Sequence, residues 1–98
     1  GSTSSVWENP SSALSFLKLT PNPVNETGEI EIRSDGENRV EIFLTDQSGK
    51  IVKTIMKPAF TGRGHKVSFS TQGISSGTYF IVARSGKTTA SLKAVVIR

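Results

Sequence analysis

A chain of 98 residues, 35% of them hydrophobic, has room for one domain with a single core and excludes a second. There is no cysteine, so no disulfide and no thiolate metal site contributes to the fold, and no apolar run approaches the roughly 20 residues of a membrane span. The formal charge of +4 divides unevenly: residues 1–49 carry eight acids and three bases, residues 50–98 nine bases and no acid. An imbalance of that kind points toward a polyanionic partner, but strands from both halves interleave in a sandwich and dilute it over the surface. The bases are scattered, without the clustered basic run or stacking aromatics of nucleic-acid binders, so nucleic acid is not the expected partner.

Residues 1–13 form a serine-rich leader with Asn9-Pro10 and no periodicity, read as a flexible linker in which Gly1-Ser2 looks like a cloning remnant and Trp7 is the one large side chain. The domain proper is expected over 14–98, as a piece of a longer protein, with no signal-peptide pattern read at the start of the chain. A first strand is expected over Ala13 to Leu19, with Leu17 and Leu19 on one side and Phe16 and Lys18 on the other. Pro21-Asn22-Pro23 ends it in a rigid corner, because proline lacks the amide donor and forces the residue before it into extended geometry.

Gly28 to Arg33 alternates as a half-buried strand should, with Ile30 and Ile32 inward, and Asp35-Gly36 turns it. Arg39 to Asp46 places Val40, Ile42 and Leu44 on one face, and Asp46-Gln47-Ser48-Gly49 joins it in a hairpin to Lys50 to Met56. Lys50, Lys53 and Lys57 discourage pairing of an open edge with a second copy. A longer connection, Lys57 to Gly64, leads to His65 to Ser70, with Val67 and Phe69 inward.

The most β-prone run follows the turn Gly73 to Gly77: Tyr79, Ile81 and Ala83 project to one face, Phe80 and Val82 to the other, so that both faces call for cover. Ser85-Gly86-Lys87 closes a last hairpin into Thr88 to Arg98. Seven short strands at spacings of about ten residues, with no helical periodicity, predict an all-β fold: a seven-stranded, immunoglobulin-like antiparallel β-sandwich.

Catalytic chemistry finds little support. His65 is the single histidine, no acid follows Asp46 in the chain, and one histidine at a strand start reads as a surface residue rather than a triad member. Asp35, Glu37 and Asp46 read as solvated turn acids, since no calcium-loop pattern surrounds them. Gly86-Lys87-Thr88 mimics the end of a phosphate-binding loop, but Ile81 stands where the motif needs its first glycine and the stretch joins two strands. Asn25-Glu26-Thr27 matches a glycosylation sequon, and Phe60 with Gly62-Arg63-Gly64 makes a candidate binding tip. The expectation is a protein that is not an enzyme and binds no cofactor or metal.

Four stretches taken together are similar to a known family. They are Leu19-Thr20-Pro21-Asn22-Pro23-Val24, Asp46-Gln47-Ser48-Gly49-Lys50-Ile51-Val52, Ser76-Gly77-Thr78-Tyr79-Phe80-Ile81-Val82 and Lys93-Ala94-Val95-Val96-Ile97-Arg98. In order, spacing and position they resemble the type A C-terminal sorting domain of the type IX secretion system of Bacteroidetes, over about residues 14 to 98. Thr20 stands where that family usually has an aromatic, and Ala94 where a larger aliphatic is common. The resemblance implies an address: cargo crosses the periplasm, is recognised by the outer-membrane translocon through the folded domain, and is displayed at the cell surface or released. A sortase commonly cuts upstream of such a domain, here before Leu14, and joins the cargo to anionic lipopolysaccharide. On this reading Lys93, Ala94, Val95, Val96, Ile97 and Arg98 are the recognition stretch, a terminal strand offering backbone and charge together, while Pro21, Asn22, Pro23, Gly49, Lys50, Gly77 and Tyr79 are scaffold. The alternatives are an immunoglobulin-like surface module that binds glycan or protein, and a retained surface component of the secretion or signalling machinery.

Overall fold

The computed structural model describes residues 14–36 and 38–97; the leader with Trp7, as well as Glu37 and Arg98, lie outside the described residues. Seven strands follow in chain order: β1 (Leu14–Thr20), β2 (Thr27–Ser34), β3 (Val40–Thr45), β4 (Ile51–Ala59), β5 (Gly64–Ser70), β6 (Gly77–Ser85) and β7 (Thr88–Val96). They form two antiparallel sheets, β1-β2-β5 and β4-β3-β6-β7, the immunoglobulin-like sandwich that alternation and turn spacing predict.

Alternation decides what each sheet turns inward. Ile30 and Ile32 of β2, Val40, Ile42 and Leu44 of β3, and Ile81 and Ala83 of β6 are all fully buried, with Leu17 and Leu19 of β1 and Leu92 of β7 beside them. Side chains from both inner faces therefore share one core, and Phe69 closes it at β5. Gly28 is required there by space rather than by backbone conformation: a Cβ on it would stand 2.7 Å from Phe69 Cε1 and 3.2 Å from Leu19 Cδ1.

Two features of the strands depart from expectation. β4 runs on through Lys57 and Pro58 to Ala59, and β5 begins at Gly64, so much of the expected connection is strand. Proline is tolerated because β4 is an edge strand whose outer side needs no donor, and register shifts against β3 absorb the extra residues. The second concerns β6. Its Ile81 face is covered by the other sheet, but Phe80 and Val82 lie on the outer face, only half-buried, and no further strand of the described residues covers them. Two layers suffice because cross-strand neighbours give that face partial cover.

Candidate functional site

The four sequence stretches singled out above meet at one pole of the sandwich. Gly77, which opens β6, pairs with Val96 near the end of β7, and Val24 bridges to Val96 from the other side in parallel. Asp46, Gln47 and Ser48 line one shallow cleft together with Gly77, Thr78 and Tyr79. Segments separated by tens of residues in sequence thus form one continuous surface.

The corner at residues 21–24 closes the outer edge of β7. Asn22 Nδ2 donates to the carbonyl of Lys93 at 3.1 Å, and Asn22 Oδ1 accepts from the amide of Val95 at 3.2 Å. Val24 continues the pattern: its amide donates to the Val95 carbonyl at 2.7 Å, and its carbonyl accepts from the Ile97 amide at 2.9 Å. An open edge is a template for strand addition, and here the edge from Lys93 to Ile97 is already occupied by the chain itself. The asparagine side chain acts as a piece of backbone, which a flanking proline on each side leaves free of any regular strand pairing of its own.

That arrangement sorts the expected recognition stretch. Ala94 and Val96 are buried in the core; Val95 is half-buried, while Lys93 and Ile97 are exposed, Ile97 with 54% of its surface accessible. What β7 presents outward is therefore the alternate side chains Lys93 and Val95, with Ile97 just past its end, and Ala94 and Val96 bear on recognition only by fixing the strand.

The turn between β3 and β4 is built on Asp46. Its Oδ1 accepts from the Ser48 hydroxyl at 2.6 Å, the Ser48 amide at 2.9 Å and the Lys50 amide at 3.0 Å. Those hydrogen bonds, the Ser48 hydroxyl first, hold the Asp46 carboxyl below its ordinary value of 3.8. Gly49 completes the turn at φ +91°, a conformation that favours glycine, and Lys50 is exposed just beyond it. Tyr79 has its ring packed against the core, and its hydroxyl donates to the Ser75 carbonyl at 2.8 Å. A tyrosine near a strand start bonding back to the preceding corner is a recurrent lock in immunoglobulin-like sandwiches.

Elsewhere the sites weighed from sequence stay dispersed. His65 is exposed on β5, and among the described residues no three of His, Cys, Asp and Glu are grouped to hold a metal ion. Asp35 accepts from the Asn38 amide and side chain and so serves its turn. Phe60 is 65% exposed, beneath the Arg39 guanidinium at 5.5 Å from its ring centre. No helix among the described residues is long and apolar enough to cross a membrane. The role of Asn22 as a clamp escaped sequence reasoning, because hydrogen bonds over 71 and 73 residues leave no local pattern.

The model of the secretion system C-terminal sorting domain matches residues 18–98. No curated protein and no solved structure matches the chain. Family membership makes the domain a sorting signal of type IX secretion, which implies interaction with the secretion machinery and export to the cell surface or release. The match spans every strand except the first residues of β1, and so the chain belongs to the family of secretion system C-terminal sorting domains.

Proposed function

We infer that this domain is a non-enzymatic address, read in its folded form by the outer-membrane translocon of the type IX system after transit through the periplasm. Lys93, Val95 and Ile97 make the contact, with Arg98 beyond them, while Ala94 and Val96 set the position of the strand. Pro21, Asn22, Pro23, Gly49, Lys50, Gly77 and Tyr79 hold the pole in shape. A sortase then cuts in the leader before Leu14 and passes the cargo to anionic lipopolysaccharide.

The observation that carries this reading is the closed edge of β7 at the pole where the four motifs converge. With its backbone groups satisfied by Asn22 and Val24, the strand presents a defined row of side chains rather than a pairing template. A receptor for many cargoes gains from a rigid signal of that kind, since little ordering entropy is lost on binding.

The test is localisation of a fluorescent reporter that carries an N-terminal export signal and residues 1–98 at its C-terminus, in a bacterium with type IX secretion. Reporter at the surface or in the medium is the expected result, and its size reports whether the leader is cut. Reporter retained in the periplasm with the domain folded would sink the reading. Deleting Lys93 to Arg98 removes core residues as well as surface ones, so circular dichroism must accompany that variant.

A further inference from the structure

The two outer faces of the sandwich differ in kind. On the three-stranded sheet, Lys18, Glu31 and Lys66 stand in one row, and Thr20, Glu29 and Ser68 in the next. Phe16, the aromatic on that face, lies under Arg33 at 5.1 Å. Polar and alternately charged rows are what a solvated sheet face carries.

The outer face of the four-stranded sheet has one such row, Glu41, Arg84 and Thr89, with Arg84 over the Phe43 ring at 5.4 Å, and is more apolar beside it. Register places Ile51, Thr45, Phe80 and Lys93 in one row across β4, β3, β6 and β7, and Thr54, Phe43, Val82 and Ser91 in the next. Val95 stands opposite Thr78, with Ile97 beyond it toward the pole. Ile51 is 50% exposed and Ile97 54%, while Phe43, Phe80, Val82 and Val95 are half-buried by their neighbours. Contiguous apolar surface on a solvent face marks an interaction site.

Charge states the partner's chemistry. Glu41 is the sole acid in the strands of this sheet, and both Nε and Nη2 of Arg84 already hold it, at 3.0 and 2.9 Å. Lys93 stands beside Phe80 with no ion pair among the described residues. The face is thus apolar at its centre, with Lys93 as a cation left without an ion pair among the described residues at its β7 edge, and it runs on to the pole where the sorting motifs meet.

We propose that this outer face, centred on Phe80, Val82, Val95, Ile51 and Ile97, is a docking surface for a protein of the secretion machinery whose matching surface is apolar at its centre and acidic at its rim. The proposal rests on the address reading and extends its contact from the β7 row across the sheet.

The experiment measures export of the reporter carrying the whole chain. One variant combines Phe80→Ser with Val82→Thr; a second combines Ile51→Ser, Lys93→Glu and Ile97→Ser, all at exposed positions that leave the core intact. A control places Lys18→Glu and Lys66→Glu on the opposite face. Each purified domain is checked by circular dichroism and thermal melting. The expected result is that both variants fold and that the export of each falls about tenfold or more, the size of losing one interface anchor, with the control within about twofold of wild type.

Export of the folded first variant at the wild-type level, with loss in the second alone, confines the contact to Lys93 and Ile97 and overturns the face while the address reading stands. Wild-type export of the folded second variant overturns the face and the Lys93 and Ile97 contact together, leaving only the sorting role. Failure of the wild-type chain to export removes both. Three other results reassign the face and overturn the protein partner. They are self-association in sedimentation abolished by the second variant, binding to anionic phospholipid vesicles abolished by Lys93→Glu alone, and a blue-shifted emission of Trp7 that the second variant returns to that of solvent.

Discussion

The side-chain amide of Asn22 spans the carbonyl of Lys93 and the amide of Val95, so one residue of the first corner substitutes for a strand along the last one. Asn22→Ala removes both bonds and exposes the edge. Each is a solvent-facing hydrogen bond worth about 1 kcal/mol or less net, so a total loss of about 1 kcal/mol is expected, a drop of about 4–8 °C in melting temperature for a domain of this size. Amide exchange separates local from global effects: Val95 should lose protection more than Ile81, whose partners in β3 and β7 are untouched. Equal loss at both positions would mean that Asn22 acts on the whole fold and not as a clamp.

Tyr79→Phe tests the lock at the β5–β6 corner. The ring keeps its packing against the core, and only the bond from its hydroxyl to the Ser75 carbonyl disappears. A cost of about 1 kcal/mol is expected, read as a lower urea midpoint at unchanged slope. A changed slope would show that the corner shapes the compactness of one of the two states instead.

Strand alternation in β2 is visible in sequence because that strand has one buried and one largely solvated face, so period two survives in the residue types. The residues of β6 call for cover on both faces, since an apolar run of four to eight residues looks the same whether its second face lies under another layer or is an exposed patch. Phe80 and Val82 belong to the second case. The four sorting motifs were legible as separate stretches, but their meeting at one pole was not. It depends on which strand ends adjoin, and the Gly77–Val96 and Val24–Val96 pairings carry no local signal.

In the sequence Gly28 marks only the start of a strand, yet packing leaves no room there for a side chain. A methyl group there meets the buried Phe69 ring at 2.7 and 2.9 Å, so the ring or the strand must shift. Gly28→Ala is expected to destabilise by about 1–3 kcal/mol, the range for overpacking a core. Gly64→Ala is the matched control, with open space around the new methyl and no positive φ to strain, so it should be close to neutral. Thermal melts of the pair decide the matter: equal stabilities would show that Phe69 moves aside freely.

The acid dependence of the β3–β4 turn follows from Asp46. In the fold its carboxylate accepts from Ser48 and Lys50, which lowers its proton affinity relative to the unfolded chain, where the ordinary value of 3.8 applies. Stabilisation by the charged form is therefore present above that value and fades as pH falls through the lower value of the folded state. Asp46→Asn keeps the shape of an acceptor oxygen but removes the titration. The amides of Ser48 and Lys50, followed by NMR from neutral pH down to about pH 2, below the ordinary carboxylate range, should shift in wild type and stay flat in the variant. Because the turn lines the same cleft as Gly77 and Tyr79, the resonances of those two residues should move with it. If they hold still while Ser48 and Lys50 shift, the turn titrates alone and the pole is not one mechanical unit.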